Sequence, residues 1–199
     1  MVHARLPRRA FHWPAAWSSP LAQTLSGKPI AILATDGFEQ SELTEPKRLL
    51  EEAGARVDVI APKAGSIRGW DKKDWGKDVA VDKALSDATA GDYDALVLPG
   101  GVINPDKLRM DEKAIGFIKA CFDGGKPVAA ICHGPWTLIE ADLVEGRKVT
   151  SWASLRKDLE NAGASWEDSE VVEDGGLITS RKPDDIPAFT QAVIRAVTG

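Results

Sequence analysis

Two residues with reactive side chains stand side by side where an apolar run ends. Cys132 and His133 lie in VAAICHGPW, residues 128–136, of a chain that holds two cysteines and three histidines. A cysteine thiolate is a nucleophile, and a neighbouring imidazole can take up or return its proton. At a turn from a strand into a helix, backbone N–H groups also favour a thiolate. The pattern therefore predicts nucleophilic chemistry at Cys132.

Each of these residues also has an interpretation without chemistry. A free cysteine is most often a buried structural residue, and Cys121, on the apolar stripe of a predicted helix, fits that description. His133 is the one histidine available to Cys132, because His3 and His12 fall in the N-terminal segment. Adjacent helical side chains diverge, so the sequence leaves open whether His133 contacts the thiol or only packs.

Carboxylates follow another predicted strand. Glu39, Glu42 and Glu45 are spaced by three residues, which would place them on one face of a helix. Acids are favoured at helix starts, and that preference is sufficient to explain Glu45. Two like charges at ~3 Å are costly, so a carboxyl next to Cys132 would keep its proton and could donate a hydrogen bond to the sulfur. Asp106 is a candidate for orienting the histidine, or for capping the next helix.

A glycine pair follows a third predicted strand. Gly100 and Gly101 leave backbone N–H groups bare, and together with the N–H of His133 these could form an oxyanion hole. A tight turn would explain the same pair. The sequence contains no phosphate-binding loop, no CxxC and no metal-ligand spacing, so we predict neither a cofactor nor a metal.

The elements that must position these residues alternate between strands and helices. Apolar runs without alternation are typical of strands buried on both faces, and the first strand–helix–strand unit implies a parallel sheet. The predicted strands are residues 29–34, 56–61, 93–101, 127–132 and 147–152, with hairpins at 66–82 and 169–180. The predicted helices are residues 44–55, 111–126 and 154–162, one from about Pro135 and one from about Asp184. The pattern predicts a doubly wound α/β sandwich, whose sites form at the carboxyl ends of the strands.

Composition and charge narrow the function classes. The chain has 199 residues and a net charge of −5, and no acidic residue precedes Asp36. The acidic remainder is a poor match for nucleic acid, and no segment approaches the ~18 apolar residues of a membrane helix. Two cysteines do not make a secreted disulfide framework, which favours a cytoplasmic location.

Two parts are predicted along the chain, a basic N-terminal extension over 1–27 and one domain over 28–199. The apolar stretch of the extension is broken by His12, Pro14 and Ser18, which argues against a signal peptide. We expect residues 1–27 to be weakly ordered or packed on a neighbour.

Five stretches together carry a family resemblance. DGFEQSEL, DALVLPGG, AAICHGP, LVEGRKVTSW and LITSRKPDDIPAF resemble the PfpI-type intracellular proteases, a branch of the PfpI/ThiJ superfamily of the Parkinson-disease deglycase. The resemblance covers residues 28–199 in order and implies a flavodoxin-like fold of the class I glutamine amidotransferase type, with a mostly parallel sheet. The amidotransferases themselves need a later histidine, and none follows His133.

The resemblance also implies roles for individual residues. Cys132 and His133 would form the catalytic pair, with Cys132 strained at its turn. Glu42 would contact the cysteine, with Glu39 nearby. Asp106 would be the third member of the triad, supplied by a neighbouring subunit of a homodimer or a higher homo-oligomer.

The predicted substrate-binding residues are Gly100, Gly101, Glu39 and Trp152. Trp152 stands where some peptidases of this branch have a tyrosine, and an indole cannot supply a phenolic hydroxyl.

These observations together predict a stress-protective cytoplasmic hydrolase. Its Cys132 thiolate would attack a carbonyl of methylglyoxal, of a glycated protein or of a peptide, with small dicarbonyls preferred. No cofactor is expected. The alternatives are a redox-responsive protein whose Cys132 is oxidised to sulfenic or sulfinic acid, and a holdase chaperone.

Overall fold

The structure, a computed structural model, describes residues 24–199. The strands within this range are β1 (Pro29–Leu33), β2 (Arg56–Ala61), β3 (Gly65–Asp71), β4 (Asp74–Val81), β5 (Lys83–Ala84), β6 (Ala95–Leu98), β7 (Val128–Ile131), β8 (Lys148–Val149), β9 (Ser165–Trp166), β10 (Val171–Asp174) and β11 (Leu177–Ser180). The helices are α1 (Gln40–Glu52), α2 (Ile103–Leu108), α3 (Glu112–Asp123), α4 (Pro135–Glu140), α5 (Arg156–Asn161) and α6 (Ile186–Thr198).

Seven of these strands form the central sheet, in the order β10-β11-β7-β6-β1-β2-β5. All neighbours are parallel except the β10–β11 hairpin at one edge. The non-alternating apolar runs are the buried strands: every residue of β6 and β7 is buried. The predicted mostly parallel α/β sheet is confirmed.

Helices cover both faces of this sheet because strand side chains alternate between the faces. On one face Ile30 and Ile32 of β1 pack in the same cluster as residues of α1 and α6. On the other face Ala31 and Leu33 pack with residues of α3, α4 and α5. The two apolar clusters make the sandwich that the alternation of elements predicted.

The chain changes direction across the sheet at β1. It passes from β1 to β2 on one side, and later returns to β6 on the other side of β1. Such a switch leaves a crevice at the carboxyl ends of the strands. The segments that follow β1, β6 and β7 therefore meet there.

Several predicted boundaries are wrong. Helix α1 begins at Gln40, not at residue 44, so Pro46 lies inside the helix instead of in its first turn. The predicted strand 147–152 shrinks to Lys148–Val149, which pairs with β9 outside the central sheet. The short helix α2, over Ile103–Leu108, has no counterpart among the predicted elements.

Part of the predicted N-terminal extension lies within the described residues. Leu25 is fully buried in the core, and its N–H donates to the Ala53 carbonyl at 2.9 Å. Core packing therefore begins before residue 28. The weak order or neighbour packing predicted for residues 1–27 otherwise concerns residues 1–23, which lie outside the described residues. Within 24–199, no helix combines the length and apolarity needed to cross a bilayer.

Candidate active site

Cys132 occupies a strained position directly after β7. Its φ of 62° is in the left-handed region, which non-glycine residues rarely adopt. Its own N–H donates to the Ser180 carbonyl at 3.0 Å, and the Gly134 N–H closes the turn on Ile131 at 2.8 Å. An alanine-sized side chain at Gly134 would lie 2.6 Å from the Leu98 carbonyl. The turn thus holds Cys132 between strand and helix at the crevice.

The strained turn brings the adjacent histidine to the thiol. Nδ1 of His133 lies 3.2 Å from Sγ of Cys132, although neighbouring side chains usually diverge. Nε2 of the same ring lies 3.4 Å from Oγ of Ser154. Burial lowers the pKa of His133 below 6.5, so the imidazole is neutral at pH 7 and can accept a proton.

Glu42 lies behind the cysteine with no solvent exposure. Its Oε2 accepts the Gly100 N–H at 2.9 Å. Burial raises the pKa of Glu42 to about 8, while the nearby Cys132 thiol and the Gly100 N–H lower it. No hydrogen bond of good geometry reaches Oε1 from the described residues. The carboxyl is therefore protonated at neutral pH, as the sequence predicted for an acid beside a cysteine.

The pKa of Cys132 differs in direction from the sequence prediction. Burial, followed by the charge of Glu42, raises the pKa of the thiol, whereas the N–H groups of Gly101 and His133 lower it. The sequence suggested only the second effect, because burial is not visible there. Below about pH 8 Glu42 is neutral, so its charge no longer opposes a thiolate. The free protein then holds a thiol next to a neutral imidazole.

The glycine loop is packed against these groups. A Cβ on Gly100 would lie 2.6 Å from Glu42 Oε2 and 2.7 Å from the Cys132 Cβ. Gly101 has a φ of 73°, and a Cβ there would lie 2.4 Å from the Gly37 carbonyl. Both positions therefore require glycine, and the N–H of Gly101 is directed toward the cysteine.

Asn104 holds this loop in place, and the sequence analysis missed it. Its buried side chain donates to the carbonyls of Pro99 and Gly100, at 2.9 and 3.2 Å. Its Oδ1 accepts the Thr35 N–H at 2.8 Å. One amide thus joins the segments that follow β1 and β6. In the sequence, the only indication of this role was the position of Asn104, between the glycine pair and the candidate Asp106.

The three spaced glutamates do not share one face in the way the spacing predicted. Glu42 is directed inward, whereas Glu45 is partly exposed and pairs with Arg48 at 3.0 Å. Glu39 precedes the helix; it is half-buried, and burial raises its pKa. Its backbone N–H donates to the Gly100 carbonyl at 3.3 Å, which places Glu39 beside the glycine loop.

Asp106 lies apart from the histidine of its own chain. It is exposed on α2, and no hydrogen bond joins it to His133 among the described residues. It does not cap the next helix either, because Asp111 accepts the N–H groups of Lys113 and Ala114 at the start of α3. A role across a subunit interface stays a prediction.

Aromatic side chains flank the imidazole. The Trp152 ring stacks on His133 at 6.2 Å with an interplanar angle of 25°, and the backbone N–H of Trp152 donates to the Cys132 carbonyl at 2.9 Å. Trp136 meets the imidazole at 5.3 Å and 64°. The sequence analysis named Trp152 but not Trp136 or Ser154. The three-residue spacing of His133 and Trp136 at a helix start was the signal for their contact.

Comparisons with known proteins identify related chains and a related fold. A family model described as the DJ-1/PfpI family matches residues 28–196. General stress protein 18 of Bacillus subtilis is 47% identical over 167 residues, which span 83% of this chain and 95% of that protein. Protein/nucleic acid deglycase 2 of Escherichia coli is 45% identical over 170 residues, or 84% and 96%. The crystal structure of Drosophila melanogaster DJ-1beta superposes with a TM-score of 0.79 at 27% identity, covering 87% of this chain and 91% of that chain.

Proposed function

The chain belongs to the DJ-1/PfpI family, and on that premise we propose that it is a stress-protective, cytoplasmic cysteine hydrolase acting on carbonyl substrates. One observation carries the proposal: Sγ of Cys132 and Nδ1 of His133 lie 3.2 Å apart at a strained turn. A neutral imidazole in hydrogen-bond reach of a thiol is the arrangement that nucleophilic catalysis by cysteine requires. Small dicarbonyls and their protein adducts are the preferred substrates, with peptides second.

The reaction begins with proton transfer within the pair. Nδ1 of His133 accepts the thiol proton as Sγ of Cys132 attacks the carbonyl carbon and forms a C–S bond. The N–H groups of Gly101 and His133 bind the oxygen that becomes negative. In a peptide, the C–N bond then breaks, His133 returns the proton to the leaving amine and the thioester forms directly. With methylglyoxal the attack gives a hemithioacetal, and in a glycated adduct the same hemithioacetal remains once the C–N bond at that carbon has broken and the amine has taken its proton. The hydrogen on the carbon that carries sulfur then moves to the neighbouring carbonyl carbon, which turns the hemithioacetal into a thioester with no external oxidant. Water finally hydrolyses the thioester, releases the carboxylic acid and restores the thiol.

Glu42 supports this step from behind the cysteine. With a pKa of about 8, its carboxyl is neutral at pH 7 and does not repel the developing thiolate. It also accepts the Gly100 N–H at 2.9 Å, which orients the loop whose next N–H binds the oxyanion. Asp106 is proposed to reach His133 from the neighbouring subunit of a homo-oligomer.

Relatives support this class of activity. Proteins 45% and 47% identical to the chain carry the names deglycase and general stress protein. Their similarity extends over at least 83% of this chain. A third relative, 48% identical to the chain, carries the name putative cysteine protease. We therefore propose small dicarbonyls and their adducts first and keep peptides as the second substrate class.

The test is turnover of methylglyoxal and of a peptide in parallel. Wild type should consume one of them, and Cys132→Ala should lose activity by a factor of at least 10³ because the nucleophile is gone. Cys121→Ala is the matched control: this cysteine is also buried but lies in the core, so its loss should leave turnover unchanged. Absence of turnover with both substrates would contradict the proposal.

A second candidate function is redox sensing, and the position of Glu42 favours it. A protonated carboxyl beside Sγ could donate a hydrogen bond to a sulfinate formed on Cys132. A sensor should require Cys132 and Glu42 but not Asp106, whereas the hydrolase should also lose activity in Asp106→Asn. Mild peroxide followed by intact mass distinguishes them, since a sensor gains two or three oxygens without turnover. A holdase would keep its activity in Cys132→Ala.

A further inference from the structure

Trp136 lies against the imidazole of His133 and is itself tethered. The two ring centroids are 5.3 Å apart at an interplanar angle of 64°. The indole N–H donates to Oδ2 of Asp158 at 2.8 Å. The guanidinium of Arg109 lies over the indole, 5.8 Å from its centroid, and Arg109 pairs with Glu140 at 3.4 Å. The indole is thus held from α5 and from the residue that follows α2 while it touches the histidine on the turn before α4.

We propose that Trp136 is a positioning residue that keeps Nδ1 of His133 directed at Cys132, and that Asp158 acts through Trp136. This inference rests on the part of the proposed function in which His133 takes the cysteine proton. It does not depend on which carbonyl compound is the substrate.

The histidine needs such support because its polar contacts within one chain are few. Among residues 24–199 its ring nitrogens meet only the Cys132 thiol at 3.2 Å and the Ser154 hydroxyl at 3.4 Å. A contact of 3.4 Å restrains the ring weakly. Packing must therefore set the orientation of the imidazole.

Trp136 is better suited to this task than Trp152. Trp152 is 43% exposed and its ring centroid lies 6.2 Å from that of His133. Trp136 is half-buried, its centroid is nearer, and a hydrogen bond fixes its ring. An aromatic edge contact of this kind restrains both partners.

The ring contact of Trp136 also adds to the burial of the imidazole. Burial is what lowers the pKa of His133, so removal of the indole should raise that pKa toward 6.5. The other titratable or charged groups that the described residues place around the contact are Cys132, Glu42 behind it, Asp158 and Arg109 at the indole, and Glu140 paired with Arg109. Replacing Trp136 by leucine or phenylalanine leaves these charges unchanged. A change in the pKa of His133 in these variants can therefore be assigned to the loss of the indole.

The test measures the alkylation rate of Cys132 by iodoacetamide from about pH 5 to about pH 9, with the modified peptide identified by mass. Trp136→Leu should alkylate about tenfold more slowly at pH 7, because a misplaced imidazole no longer accepts the thiol proton. Trp136→Phe keeps a ring but loses the tether, and should fall in between. Trp75→Phe, which removes an exposed indole on the β3–β4 hairpin, is the matched control and should match wild type.

Two substitutions of Asp158, which accepts the indole N–H, test the same contact without changing Trp136 itself. Asp158→Asn keeps an acceptor for the indole N–H and should retain the wild-type rate, whereas Asp158→Ala should slow alkylation. The imidazole resonance of His133 should titrate at a higher pH in Trp136→Leu. If Trp136→Leu does not fold, the two Asp158 variants decide.

The inference is overturned if alkylation and the His133 titration are the same in wild type, Trp136→Leu and Asp158→Ala. Because the assay needs no turnover, its result is separate from that of the methylglyoxal and peptide assay. A protein that turns over neither substrate would contradict the proposed function and leave this test intact.

Discussion

Glu42 and Cys132 form a buried pair in which charge on one opposes charge on the other. Burial raises both pKa values, and the ionised Glu42 raises that of Cys132 further. The backbone N–H groups of Gly101 and His133 counter this effect by lowering the pKa of the thiol. Near neutral pH the carboxyl carries a proton, so the local field permits a thiolate to develop during attack. At this scale the chemistry depends on which of two neighbours is charged.

The first prediction concerns the dependence of stability on pH. The folded pKa of Glu42 is about 8 against 4.5 for the free side chain, so the folded state binds this proton more tightly than the unfolded state. Its contribution to stability is fully present below pH 4.5 and is lost as pH rises through about 8. At about 1.4 kcal/mol for each pKa unit, the loss amounts to several kcal/mol.

Urea unfolding at pH 5, 7 and 9 measures this contribution. In Glu42→Gln the amide cannot ionise but can still accept the Gly100 N–H, so the free energy of unfolding should fall less between pH 5 and pH 9 than in wild type. Glu45→Gln, on the partly exposed side of α1, is the matched control and should follow wild type. Parallel curves for wild type and Glu42→Gln would refute the prediction.

At the scale of elements, the site consists of segments that leave three neighbouring parallel strands. The turn at Cys132 follows β7, the loop of Gly100 and Gly101 follows β6, and the segment after β1 leads into α1, which contains Glu42. These connections are not tied by the sheet ladder beyond the strand ends. Asn104, in α2, bonds both the β6 and the β1 segments. Its buried amide acts together with the bonds of Gly100 to Glu42 and Glu39 in placing the glycine loop.

Asn104→Ala should destabilise the protein by roughly 2–4 kcal/mol, because each buried backbone group left without its partner costs about 1–3 kcal/mol. It should also lower kcat, since the Gly101 N–H would no longer be held for the oxyanion. Asn161→Ala, at the exposed end of α5, should change stability by less than about 0.5 kcal/mol. Denaturant unfolding and turnover of the same preparations check both effects. An Asn104→Ala protein as stable and active as wild type would show that Asn104 does not hold the glycine loop in place.

At the scale of the whole molecule, the proposed third member of the triad lies apart from His133 of its own chain. Asp106 is exposed on α2 and makes no hydrogen bond to that histidine. Nearby Val102 and Met110 are 54% and 84% exposed, so apolar side chains lie beside Asp106. This arrangement fits a site that a second copy of the chain completes.

Mixing two inactive variants tests this assembly. In a dimer of Cys132→Ala and Asp106→Asn subunits, the intact Cys132 would meet the intact Asp106 of the other chain. When the two variants are co-expressed and pair at random, about half of the dimers are mixed, and each mixed dimer holds one complete site of two. Turnover should therefore reach roughly a quarter of the wild-type value. Each variant alone should be inactive. Failure of the mixture to recover, or full activity of Asp106→Asn alone, would show that Asp106 does not act across an interface.

Local patterns in the sequence were sufficient for the strands and for the position of the cysteine. The non-alternating apolar runs mark β1, β2, β6 and β7 because a strand buried on both faces needs apolar side chains at every position. The same runs place Cys132, Gly100 and the Glu39–Glu42 segment at strand ends, since these features depend only on neighbouring residues. Helix boundaries were less certain. Pro46 suggested that the helix begins at residue 44, yet α1 begins at Gln40, so Pro46 lies six residues after its first residue.

Only the tertiary structure decided the electrostatics and the contacts of the site. Burial of Cys132 reverses the expected direction of its pKa shift, and burial is produced by elements far apart in the chain. The Asn104 bond to Thr35 spans 69 residues, and the Asp158 bond to Trp136 spans 22. Such contacts leave no periodic trace in the sequence, because they depend on how elements pack and not on the residues beside them.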